Sequence, residues 1–137
     1  MIRGALAAWA FAAAAGGALA AADCGAALKA VQPLIAEADG ARIAFVPRPL
    51  PVPVGRHFDI HFVVCGTPLR SGAMVAVDAD MPAHRHGMNY RTRVEALQPG
   101  MYRAHGLMFH MPGTWRVIFD LPLEGRTLRV TREIEVQ

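Results

Sequence analysis

The stretch His57-Phe58-Asp59-Ile60-His61-Phe62-Val63-Val64 alternates polar and apolar side chains over its first six residues and ends apolar. Successive side chains of a strand point to opposite faces. This order therefore sets Phe58, Ile60, Phe62 and Val64 on one face and His57, Asp59 and His61 on the other. The same period recurs outward from it. Residues 74–80 turn Val75, Val77 and Ala79 inward, and further strands are expected over residues 42–47, 90–97, 101–110, 115–121 and 127–136. Thr67-Pro68, Ser71-Gly72, Gln98-Pro99-Gly100, Pro112-Gly113 and Glu124-Gly125-Arg126 supply the turns between them. Pro47, Pro49, Pro51 and Pro53 fall at every second position, so that run is an edge or a stiff polyproline-like connection. The spacing predicts an all-β antiparallel sandwich of about seven strands over residues 41–137. Its expected core is Phe58, Ile60, Phe62, Val75, Val77, Trp115, Val117 and Phe119. Residues 23–40 form an N-terminal lead-in, in which residues 25–38 make a short helix broken at Pro33 or remain irregular.

Residues 1–22 have a different character. One Arg near the start, an apolar run and then small residues such as Ala18-Leu19-Ala20 fit a cleaved secretory signal peptide. A retained membrane anchor fits less well, because Gly16-Gly17 interrupts a run shorter than the ~20 residues a spanning helix needs. A lipid on Cys24 is disfavoured by Asp23, which stands where such sites carry a small residue. The expectation is thus an exported, periplasmic protein with no stable membrane insertion once the signal is removed. Of the 137 residues, 53% are hydrophobic, too many for a disordered chain. The formal charge of +3 is scattered along the sequence, so nucleic acid is not an expected partner.

Cys24 and Cys65 are the two cysteines. In an oxidising compartment they favour a disulfide, worth roughly 3–4 kcal/mol in the chain-entropy model. A soft metal ligand and a free thiol are the alternatives. No Cys-x-x-Cys spacing supports thioredoxin-type redox chemistry.

The chemical signal lies in two segments, Met81-Pro82-Ala83-His84-Arg85-His86-Gly87-Met88 and Met108-Phe109-His110-Met111-Pro112-Gly113. They hold seven of the twelve His and Met residues that follow the leader. In extended backbone His84 and His86 point to one side about 6.5 Å apart, within reach of one metal ion. Imidazole with thioether is a soft, uncharged ligand set that favours copper, Cu(I) above all. Zinc more often adds Cys or carboxylate, and hard cations want oxygen. The expected ligands are His84 and His86 with sulfur from Met81, Met88, Met108 or Met111, and His110 as a further donor. Against this stands ordinary packing: Met is a common core filler, and at least half of the methionines are expected to serve that way. His57 and His61 read as a wet outer face and His105 as an isolated surface residue. No catalytic triad, phosphate loop, haem motif or paired carboxylates appear, so an enzyme is not expected.

From MPAHRHGMNYRTRVEALQPGMYRAHGLMFHMPGTWRVIFDL, residues 81–121, the chain resembles small secreted bacterial proteins of the YtkA-like type, related to FixH-like domains. The likeness runs over residues 42–136 and is densest at 81–88 and 107–115. His84, His86 and Met88 match its Met-x-x-His-x-His-Gly-Met pattern directly. The resemblance implies an immunoglobulin-like sandwich outside the cytoplasm, often tied to copper handling or cytochrome oxidase maturation. The wider Met and His spacing of periplasmic copper chaperones is not reproduced. Two functions follow. One is a periplasmic protein that holds Cu(I) or passes it to an exported copper-accepting partner. The other is a metal-free accessory or assembly module that uses the His/Met loop as a protein contact surface.

Overall fold

Phe58, Ile60 and Phe62 are buried on one face of strand β3 (His57–Cys65) in the computed structural model, which describes residues 23–29 and 32–137. The leader expected over residues 1–22 lies outside the described residues. β3 is central in a five-stranded antiparallel sheet of order β1 (Leu34–Ala38), β2 (Ala41–Arg48), β3, β7 (Met101–Met108), β6 (Arg93–Gln98). A four-stranded antiparallel sheet faces it, in the order β5 (His86–Gly87), β4 (Ala76–Met81), β8 (Gly113–Leu123), β9 (Arg126–Val136). Phe119 of β8 joins the layers, its ring 5.2 Å from both Phe45 and Phe62. All eight residues expected in the core are buried there.

Two of the nine strands had no signal in the sequence, β1 and the two-residue β5. Neither a helix nor an irregular lead-in describes residues 34–38. Ala26–Leu28 makes one 3-10 turn, and Leu34–Ala38 pairs with β2 from Leu34↔Phe45 to Ala38↔Ala41. β2 is buried on both sides. Ala41, Ile43 and Phe45 enter the main core, whereas Ala44 and Val46 form a second cluster with Leu28 on the outer face. Gly25 lets the turn lie this close: at φ +99° a Cβ on it would stand 2.7 Å from the Ala44 Cβ. The pairing of β1 ends at Phe45, leaving Pro47 with a neighbour on one side only, opposite Ile60, an edge position of the kind proline tolerates. The Arg48-Pro49 and Leu50-Pro51 peptide bonds are cis.

A Cys24–Cys65 disulfide, with Cα atoms 6.0 Å apart, fastens the N-terminal turn to the end of β3. Replacing both cysteines with Ser is expected to cost about 3–4 kcal/mol, since the open chain regains loop entropy across the 41-residue separation. Urea unfolding measures this, and a loss under about 0.5 kcal/mol, an ordinary surface effect, would contradict it.

Candidate functional site

The rim of the four-stranded sheet is built by a tight reversal after β4. Pro82 pre-sets the backbone for a 3-10 turn over Pro82–His84, and Arg85 at φ +54° turns the chain back. His86 and Gly87 then pair with Met81 and Asp80, and the Met88 N–H donates to the Ala79 carbonyl. Residues directly opposed in an antiparallel pair share a face, so Met81 and His86 point to the same side, and Met88 returns to it two residues later. Met81 is fully buried, with its terminal methyl against Gly113, where a Cβ would meet it at 2.5 Å. Met88 is half-buried against the core. His84 is thus in a turn rather than an extended strand, yet the two rings remain close, with centroids 5.8 Å apart.

The second segment arrives at the same rim. β7 ends at Met108, and Phe109 is buried, its carbonyl accepting from the Gly55 N–H at 2.8 Å. The Phe109 ring stacks on Trp115 with centroids 4.4 Å apart and planes at 10°. Exposed His110 follows, its ring 4.9 Å from His86 and edge-on to Trp115 at 5.3 Å. His86 meets Trp115 at 5.7 Å. The Trp115 indole N–H donates to the Met111 carbonyl at 3.0 Å, tying the 108–113 connection to β8. His84, His86 and His110 therefore form a chain of imidazoles in ring contact, the last two resting on a buried aromatic floor. Met81 and Met88 share the face of His86, and half-buried Met111 packs against the same core. Met108 is placed differently. It opposes His57 across β3 and β7 and alternates with buried Leu107 and Phe109, so it points out from the five-stranded sheet.

His86 Nδ1 lies 3.3 Å from the Gly87 carbonyl. A proton on Nδ1 satisfies that oxygen and leaves the Nε2 lone pair for a ligand. Among the described residues no three of His, Cys, Asp and Glu are gathered at metal-binding spacing. A metal held at this rim would draw on thioether sulfur. Beside His86, a surface cavity of about 430 Å³ is bounded by Asp80, Met81, Pro82, Arg85 and Arg116. Arg116 pairs with Asp80 through two hydrogen bonds, and that carboxylate raises the guanidinium pKa further.

His57 and His61 lie on the outer face, as the alternation implies. Asp59 between them binds Arg103 at 2.7 Å, and His57 meets the Tyr90 ring edge-on. Burial, with help from Arg48 and Arg103, pushes the His61 pKa below its ordinary value of 6.5. The unfolded chain therefore takes up this proton first, so His61 contributes stability above pH 6.5 that is lost as the pH falls toward the lower folded value. His61→Gln should lessen the drop in unfolding free energy between neutral and mildly acidic pH. Identical pH profiles for the two proteins would rule His61 out. His105, expected on the surface, is half-buried, and its Nε2 is covered and unpartnered. Gly106 inside an alternating strand was the signal for this irregularity.

Two facing antiparallel sheets define a small β-sandwich domain, with His84, His86 and His110 at one rim. The sequence profile of the YtkA-like family matches residues 35–120, more than half of the chain, and the chain belongs to that family. Among solved structures it is similar to a DUF4426 family protein from Pseudomonas aeruginosa PAO1. The identity is 13%, with 77% of this chain and 96% of that one covered, at a TM-score of 0.47. Comparison with curated proteins gives no match.

Proposed function

We propose that this YtkA-like protein is a periplasmic copper-binding protein, exported by its leader, that holds Cu(I) or passes it to an exported partner. It is a carrier with no catalytic step of its own. The observation that carries this reading is the run of ring contacts from His84 through His86 to His110. Three imidazoles from two separate connections adjoin one another, and the same two segments supply Met81, Met88 and Met111 as candidate thioether donors. Neutral nitrogen and thioether donors suit Cu(I) better than zinc or a hard cation. The exposure of His84 and His110 leaves the ion within reach of an acceptor.

Metal analysis of the mature protein after anaerobic loading and desalting tests it. One equivalent of copper is expected to remain. None retained would favour the metal-free module, in which exposed Pro82, Ala83, His84 and Arg85 form a protein contact surface.

A further inference from the structure

A second cavity, of about 340 Å³, lies where β6 begins beside β7, away from the imidazole rim. Arg91, Thr92, Arg93, His105 and Gly106 line it. The Thr92 hydroxyl donates to the Val77 carbonyl of β4, which anchors the start of β6 to the facing sheet. Arg91 and Arg93, on either side of Thr92 where β6 begins, both line the cavity. Neither guanidinium has an acidic partner among the described residues. The acids along this face, Asp59 and Glu95, are both engaged by Arg103.

The strand opposite is distorted at the same place. Between Phe58↔Leu107 and Ile60↔Ala104, β7 holds one residue more than β3, a bulge at His105-Gly106. Gly106 adopts φ +90°, and a Cβ there would stand 3.1 Å from the Arg91 carbonyl, so only glycine allows this approach. A bulge re-aims its side chains, and here it carries His105 opposite Arg93. His105 Nε2 is shielded from bulk water and has no partner within the protein. The ring itself lines the cavity, while Nε2 is covered by the protein.

We propose that this cavity binds a small free oxyanion, held by the two unpaired guanidiniums against the His105 ring. Guanidinium forks match oxyanions with two or more acceptor oxygens, which chloride lacks. The proposal does not depend on copper binding.

Amide NMR titration of the mature protein with inorganic phosphate, at constant ionic strength and with chloride as control, tests it. Saturable shifts are expected at Thr92, Arg93, His105 and Gly106, with His86 and His110 unmoved. Arg91→Gln and Arg93→Gln should each weaken binding about tenfold, the usual scale for one charge-assisted contact, and the double variant should abolish it. Both side chains are exposed, so unchanged spectra elsewhere will show that the variants fold. Shifts that never saturate, equal shifts with chloride, or a double variant that titrates like wild type would each overturn the proposal.

Discussion

Trp115→Ala is expected to lower the unfolding free energy by about 3–5 kcal/mol, the range for truncating a buried aromatic. The side chain is fully buried, stacks on Phe109 and ties the 108–113 connection through its bond to the Met111 carbonyl. The loss is a large share of the ~5–15 kcal/mol available to a whole domain, so the variant can fall below the folding threshold. Trp115→Phe keeps the test readable. It retains an aromatic floor but leaves the Met111 carbonyl without its donor, at a cost of about 1–3 kcal/mol. Phe62→Ala should be as costly as Trp115→Ala, because Phe62 is equally buried, yet Phe62 makes no ring contact with an imidazole of the rim. Copper retention separates the two sites: Trp115→Phe should weaken it and Phe62→Ala, where folded, should not. Denaturant unfolding gives the first quantity, and a change within about 0.5 kcal/mol for Trp115→Ala would mean the ring is not in the core.

The strands legible in the sequence are those buried on one face and wet on the other. β3 buries Phe58, Ile60 and Phe62 and wets His57 and Asp59, so its period was plain. β8 carries the same alternation through Trp115, Val117 and Phe119. β1 was hidden because Leu34, Ala36 and Ala38 face the main core while Ile35 packs on the N-terminal cluster, so four of its five residues are apolar. With only Glu37 exposed among five residues, one polar position is too little to show a period. β5 was hidden by its length: two residues are too few to show any period, and only the Arg85 reversal forms the pair.

The candidate site divides along the same line. Composition alone singled out residues 81–88 and 108–111, because ligand chemistry depends on residue type. Which members converge depends on long-range register. Met81 was foreseeable as a neighbour of His86 only once the turn was known to be three residues long and closed by a left-handed Arg85. The place of Trp115 beneath two imidazoles depends on how the short 109–112 connection folds back, stacking Phe109 on Trp115 of β8. His105 escaped because it was read only as an isolated histidine, and the bulge that half-buries it depends on register with β3.

Changing His86 and His110 together to Ala is expected to reduce Cu(I) affinity by more than roughly a hundredfold. Groups that merely orient a metal-bound His contribute about 10–100-fold, so the loss of two direct donors should exceed that. His86 is the pivot, in ring contact with both His84 and His110, and its removal breaks the chain into separate side chains. His84→Ala alone should cost less, because His84 sits at the exposed end of the run. Among the sulfurs, Met88→Leu and Met111→Leu should weaken binding with little loss of stability, since volume is nearly kept. Met108→Leu should leave affinity almost unchanged, because Met108 points out opposite His57. Affinity should also fall in acid, as protons compete for the imidazole nitrogens while the thioethers do not titrate. Anaerobic competition with a Cu(I) chelator reads all of these on one scale. If the His86/His110 double variant surrenders copper at the same chelator concentration as wild type, the metal is held elsewhere. If Met108→Leu is the variant that loses it, the ion sits on the outer face beside His57 and not above Trp115.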